Sequence, residues 1–339
     1  MAYDAQNQRE FKIVGTRVKR PDGIDKVTGK ALYGADMYAP GMLYGRILRS
    51  PHAHARIVSI DASAASALKG VKAVVTHADL TRPDDEYLAD IADNCLARDK
   101  ALYDGHAVAA VAAVDRSVAK AAIRLIKVEY EILPHVTDVV EAMKPGAPVV
   151  QEGRADESVG KDMSQNVTSH FEFGHGDLEA GFAKADKIIE RTFKTAATHQ
   201  GYIEPHACLA TFGPDGRADL FCCTQGHYYI RQLCAEILGL DQSSIRVTAS
   251  EIGGGFGGKT TAFIEPIAML LSQKAGRPVK MVMTRDEVFK ATGPTVASMS
   301  DIKIGLTSDG KITAAESRRN SWLASAHSSK PQTPAGSSP

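Results

Sequence analysis

A chain of 339 residues with 40 basic and 40 acidic side chains carries a formal net charge of zero, so no global field draws it to nucleic acid or an anionic bilayer. The length allows a sizeable core and two or three domains. The longest apolar runs, such as 106–114, are too short to span a bilayer. The polar opening MAYDAQNQREF lacks the apolar stretch of a secretory signal. Five cysteines with no C-x-x-C spacing cannot build a zinc or iron–sulfur cluster, and they read as reduced thiols of a cytoplasmic protein.

In chain order, residues 1–20 are polar and read as an extended lead-in, ending at the turn Pro21-Asp22-Gly23. Strand-like apolar runs follow at 31–35, 43–48, 57–60, 71–76 and 107–114. Helices are expected at 62–68 and 116–126, capped by Asp61 and Asp115. Strands with a few helices in no strict alternation indicate an α+β fold rather than a doubly wound sheet. The stretch 133–177, rich in Pro, Gly and acidic residues, reads as a connection with a domain boundary near Gln151.

Beyond it a helix at 177–185 and strands at 187–195, 207–212 and 218–224 are expected, the last two joined by the turn Pro214-Asp215-Gly216. The helix 228–238 has Ile230, Leu233, Cys234 and Ile237 on one stripe and stops at Gly239. Strand 245–250 leads into a glycine loop, and an apolar helix at 261–274 leaves it, with Gly276 just past its end. Strand 279–283, a capping box at Thr284-Arg285-Asp286-Glu287 and a hairpin at Asp309-Gly310 complete the fold. From about 317 the sequence is polar and aperiodic, which reads as a disordered tail or as sequence unrelated to the preceding fold.

The loop Gly253-Gly254-Gly255-Phe256-Gly257-Gly258-Lys259-Thr260 admits three readings. It satisfies G-x-x-x-x-G-K-[ST], a phosphate loop, with a strand before it and a helix after it. Too little chain follows to supply the further βα units of such a domain. It also satisfies G-x-G-x-x-G, but no acidic residue ends a second strand some 20 residues on, as a dinucleotide site requires. So many glycines cost conformational entropy for no packing gain, so a close backbone approach to another group is the better account.

The third reading is a resemblance. The loop, Cys223-Thr224-Gln225, Tyr202-Ile203-Glu204-Pro205-His206-Ala207 and Gly276-Arg277-Pro278-Val279 resemble the molybdenum-binding subunit of the xanthine oxidase and aldehyde oxidase family. Asp25-Lys26-Val27-Thr28-Gly29-Lys30-Ala31, Arg49-Ser50-Pro51-His52-Ala53-His54-Ala55 and Gly105-His106-Ala107-Val108-Ala109-Ala110-Val111 resemble that family's α/β hammerhead domain. The resemblance covers about 11–316. It implies a lead-in at 1–20, a hammerhead domain at 21–150, the first part of a mixed α/β molybdopterin-binding domain at 151–316, and the tail at 317–339.

The resemblance further implies a molybdopterin cofactor, in the plain or the cytosine dinucleotide form. A small organic substrate is oxidised with oxygen from water, and electrons leave through iron–sulfur and FAD partner subunits in a dimer of heterotrimers. Gln225 matches the glutamine that donates to an oxygen ligand of molybdenum. Gly255, Phe256, Gly257 and Gly258 match the loop whose backbone lies beside the same centre. Thr260 stands where purine-oxidising members carry a glutamate, which points to an aldehyde, an aromatic acyl thioester, an N-heterocycle or carbon monoxide as substrate. No side chain here is a direct metal ligand. The family's catalytic glutamate lies downstream of this chain, so the chain alone is expected not to turn over. A phosphate-loop hydrolase using 253–260 and a non-catalytic remnant remain the alternatives.

Other chemistry-bearing residues have bland readings. His52 and His54 make too few ligands for a metal site. His199, Glu204 and His206 read as a buried polar network bracing the site. Lys259 is expected to be a solvated or pterin-side charge, and Tyr228 and Tyr229 to be core.

Overall fold

The computed structural model describes residues 12–153, 155 and 164–321. In chain order its regular elements begin with α1 (Gly23–Thr28), β1 (Leu43–Arg49), β2 (Ala55–Asp61), α2 (Ser63–Ala67) and β3 (Val71–Thr76). Next come α3 (Glu86–Cys95), β4 (Lys100–Ala101), β5 (Ala107–Ala113), α4 (Arg116–Leu125) and β6 (Lys127–Ile132). The connection that follows holds only α5 (Val139–Ala142) among the described residues. The later part comprises α6 (Leu178–Ala183), β7 (Lys187–Thr195), β8 (Ala207–Phe212), β9 (Ala218–Cys222), α7 (His227–Leu238) and β10 (Ile245–Ala249). It closes with α8 (Glu265–Ala275), β11 (Val279–Val282), α9 (Arg285–Ala291), β12 (Ser298–Leu306) and β13 (Ile312–Ser321).

The main sheet has seven strands in the order β10-β9-β8-β11-β1-β5-β3. It is mixed, with parallel pairs β9/β10 and β1/β11 and antiparallel pairs elsewhere. Strands from both sides of Gln151 therefore share one sheet. Strand β5, Ala-Val-Ala-Ala-Val-Ala-Ala, is buried throughout because both of its faces are covered. With side chains alternating across the strand, Ala109, Val111 and Ala113 join a small core with Ala119 and Ala122 of α4, while Ala110 and Ala112 join the large core under α8. Helix α8 is the centre of that large core, with every residue from Glu265 to Ser272 buried.

Two further sheets have three strands each, β4-β2-β6 and β13-β12-β7. The second explains why order persists past 316. β13 runs to Ser321 because its backbone pairs with β12, Ser317 opposite Ile302 and Arg319 opposite Ser300, whatever the polarity of its side chains. The rest of the expected tail, 322–339, lies outside the described residues, as do 1–11 of the lead-in.

Further differences from the sequence-based expectations have physical causes. The expected strand at 31–35 is instead a bridge from Tyr33 to Glu251 followed by a short 3-10 turn at Gly34–Asp36. The turn at Pro21 opens α1, and α3 and β6 have no counterpart in the sequence reading. Helix α8 starts at Glu265 rather than 261, because Pro266 occupies its first turn, where no backbone donor is needed. The helix 62–68 is cut to Ser63–Ala67, since Asp61 accepts from the Ser63 N–H instead of capping the turn.

Candidate functional site

Strands β9 and β10 are parallel neighbours, so their carboxyl ends open on the same side of the sheet, where open α/β sheets bind ligands. Gln225 leaves the end of β9 just before α7, and β10 feeds the loop 253–258. The two meet there. The Gln225 N–H donates to the Lys259 carbonyl at 2.9 Å. The Gln225 side-chain oxygen accepts from the backbone N–H groups of Gly257 and Lys259, both at 3.2 Å. Two donors on Oε1 fix the amide's orientation, and its NH2 group is turned away from the loop as a donor.

The loop has a packed side and an open side. A Cβ on Gly253 would stand 2.6 Å from Cβ of Glu204, one on Gly255 2.6 Å from Cδ of Gln225, and one on Gly258 2.6 Å from Cε1 of Tyr202. These glycines are thus demanded by the protein's own side chains. At Gly257 nothing lies within 4 Å of such a Cβ, yet its φ of +87° requires glycine. Phe256 next to it has φ +50°, the one positive φ at a non-glycine among the described residues, and the residue is 75% exposed. Among the described residues the Gly255 and Phe256 N–H groups have no hydrogen-bond partner, whereas the Gly257 N–H is turned inward to Gln225. Thr260 is exposed, and its hydroxyl donates back to the Gly257 carbonyl at 3.0 Å.

Lys259 is neither solvated nor free. It is 1% exposed, and Nζ pairs with Oε2 of Glu204 at 2.7 Å while lying 5.0 Å from the centroid of the Tyr202 ring. The same Glu204 oxygen accepts the Gly253 N–H at 2.7 Å, and Oε1 accepts the Gly34 N–H at 3.3 Å. A phosphate loop needs its lysine available and its helix opening directly after it. Here the lysine is neutralised and α8 begins only at Glu265, which removes the nucleotide hydrolase reading.

Behind the loop, Thr292 orders a chain of protons. Its hydroxyl donates to the Val288 carbonyl at 2.7 Å, so its oxygen accepts from the Tyr202 hydroxyl at 3.1 Å and from Nε2 of His199 at 2.9 Å. Tyr202, having spent its proton, accepts from Nε2 of His206 at 2.8 Å. Nδ1 of His199 accepts the Gly201 N–H at 3.0 Å, consistent with that tautomer. Burial, reinforced by the nearby Lys259 charge, pushes His206 down to about 3, so it is neutral at ordinary pH. The network is satisfied and braces the site. The part played by Thr292 escapes a sequence reading because Tyr202 and His199 lie 90 and 93 positions away in the chain.

Elsewhere the histidines have local roles. Nδ1 of His54 bonds the Pro134 carbonyl at 2.7 Å, and His52 packs edge-on against Tyr130. No group of three or more potential metal ligands occurs among the described residues. Tyr228 and Tyr229, expected in the core, are 69% and 41% exposed, and α7 buries Ile230, Leu233, Cys234 and Ile237 instead. No helix among the described residues is long and apolar enough to cross a membrane.

Comparison with known proteins gives the same assignment. Residues 28–134 match the family described as aldehyde oxidase and xanthine dehydrogenase, a/b hammerhead domain, and residues 159–329 match the molybdopterin cofactor-binding domain. The chain is 37% identical over 319 residues to the carbon monoxide dehydrogenase large chain of Afipia carboxidovorans, covering 91% of this chain and 39% of that protein. It is 30% identical over 308 residues to the nicotinate dehydrogenase large molybdopterin subunit of Eubacterium barkeri, covering 91% of this chain and 70% of that protein. Among solved structures, reconstituted CO dehydrogenase from Oligotropha carboxidovorans superimposes with a TM-score of 0.80 at 37% identity, over 90% of this chain and 39% of that one. The chain belongs to the xanthine dehydrogenase and aldehyde oxidase family of molybdopterin-binding proteins. It spans about two fifths of the length of the curated relatives it first matches.

Proposed function

We propose that the chain forms one wall of the cofactor site of a molybdenum hydroxylase, with Gln225, Gly255, Phe256, Gly257 and Gly258 facing the molybdenum end of molybdopterin. The observation that carries this is the locked Gln225 amide, whose oxygen is held by Gly257 and Lys259 so that only its NH2 faces outward. Bound molybdopterin supplies two-electron oxidation of a substrate carbon. This chain supplies binding and orientation. The Gln225 NH2 and the unpartnered N–H groups of Gly255 and Phe256 suit anionic oxygen, and the bare edge at Gly257 admits a close approach. A cofactor held through its own pterin needs no side-chain metal ligand, which fits this donor set.

The Thr260 hydroxyl, occupied by the Gly257 carbonyl, provides no carboxylate to hold a purine. The substrate class is therefore an aldehyde, an aromatic acyl thioester, an N-heterocycle or carbon monoxide, with water as the oxygen source. Electrons pass to iron–sulfur and FAD subunits in a cytoplasmic dimer of heterotrimers, and the cofactor is molybdopterin in its plain or its cytosine dinucleotide form. The test is to purify the full chain from a host that makes molybdopterin, then measure molybdenum by plasma mass spectrometry and pterin by fluorescence after acid oxidation. Near-stoichiometric metal and pterin support the reading. Absence of both from a folded chain overturns it.

A further inference from the structure

We infer that Glu204 is a positioning residue for the cofactor wall: its one carboxylate grips both ends of the glycine loop and so sets where the Gln225 amide stands. The inference rests on the reading of Gln225 as a cofactor donor. Oε2 holds Gly253 at the loop's entry and Lys259 at its exit, each at 2.7 Å, and the Glu204 N–H returns a bond to the Gly253 carbonyl at 3.3 Å. Lys259 then passes the position on. Its carbonyl accepts the Gln225 N–H at 2.9 Å and the Thr224 hydroxyl at 3.2 Å, and its own N–H donates to the Gln225 side chain at 3.2 Å. Among the described residues the hydrogen bonds of Gln225 end on Lys259 and Gly257, so the amide follows the loop.

Burying an ion pair costs more desolvation than a pair of apolar side chains of the same volume would, so stability alone is a poor reason for one here. Fixing a single arrangement is the better reason, because Gly254 and Gly257 leave the loop backbone otherwise free. Through Oε1, Glu204 also takes the Gly34 N–H, while Lys26 pairs with Glu251 at 2.8 Å and the Glu251 N–H reaches the Leu32 carbonyl at 3.1 Å. The loop is thereby registered against residues 26–34 as well as against its own strand.

The test compares E204Q, K259M and the double variant E204Q/K259M in the full chain, reading melting temperature, amide exchange across 253–260 and molybdenum content. Each single variant is expected to speed loop exchange at least tenfold, leave β5 unchanged and lower the metal several-fold. The double variant replaces the buried charges with a neutral pair and is expected to recover melting temperature while loop exchange stays fast and metal stays low. Recovery of all three in the double variant overturns the proposal, since the pair is then structural only. Unchanged loop exchange in E204Q overturns it as well. Should the single variants fail to fold, the double variant decides, and its failure to fold also counts against a positioning role. A wild-type chain without metal defeats the proposed function, while loop exchange still decides whether Glu204 holds the loop.

Discussion

At the scale of single residues, the proposed function asks Gln225 to hold the loop with its amide oxygen and to donate outward with its NH2, and substitution can separate the two. Gln225→Glu keeps an oxygen for the Gly257 and Lys259 N–H groups but has no hydrogen to give outward. The expected outcome is a melting temperature within a few degrees of wild type and loss of most bound molybdenum, measured on the same preparation. Two neighbouring glycines separate packing from backbone strain. Gly255→Ala drives a methyl into the Gln225 side chain and should displace it, with cofactor loss of tenfold or more. Gly257→Ala meets open space and bears only the cost of its left-handed backbone, about 1 kcal/mol. Equal cofactor loss in both variants would show that the packed side of the loop has no special part. The glycines and Gln225 are legible in the sequence because they lie within short motifs. The Lys259–Glu204 pair is not, since the two are 55 positions apart and a lysine after glycines reads as solvent-exposed.

Among the elements, punctuation residues tell most. Asp115, Asp177 and Asp85 accept the N–H groups of Val118, Ala180 and Leu88 at the starts of α4, α6 and α3. Gly239 and Gly276 end α7 and α8 in the left-handed conformation. Helix α3, absent from the sequence reading, obeys the same rule, with Asp85 as its cap and Leu88, Ile91, Ala92 and Cys95 at helical spacing. Pro266 likewise announces the start of α8. The hairpin of β12 and β13 is announced by its turn at Asp309-Gly310, but no local rule supplies the third strand, because β7 is largely exposed and its pairing with β12 spans more than a hundred residues. The capping box of α9 does more than its motif implies: Glu287 accepts the Thr284 N–H at 2.7 Å and also pairs with Arg49 of β1 at 3.1 Å. Thr284→Ala should cost about 1 kcal/mol, as a lost cap does, and Glu287→Ala should cost more because Arg49 loses its carboxylate as well and keeps only the Gly105 carbonyl. Urea unfolding of the two variants checks the order. Leu271→Ala, in the fully buried face of α8, should cost about 3 kcal/mol by the same measurement.

For the whole molecule, two buried histidines set an acid limit. Burial pushes His106 down to about 4 and His206 to about 3. In the unfolded chain both take a proton near 6.5, so the unfolded state binds more protons as pH falls below that value. Their contribution is complete above about 6.5 and is lost progressively toward 4, at about 1.4 kcal/mol per pH unit for each histidine. The urea midpoint should therefore drop steadily between pH 6.5 and 4.5. His106→Asn should flatten that slope by about half, and an unchanged slope would count against the buried neutral imidazole.

The main sheet carries one more consequence. Its two halves meet at the short parallel seam of β1 and β11, where Leu43 and Tyr44 lie opposite Val279 and Lys280, and Lys280 and Arg277 reach across to the carbonyls of Met37 and Gly41. Two segments that match separate families are here sewn edge to edge. A recombinant that exchanged residues 28–134 for those of a distant relative would inherit one lip of the seam without its mate. Cutting the peptide between 135 and 153, by contrast, would sever no bond in that sheet. In this molecule the unit of inheritance and the unit of cohesion are different objects.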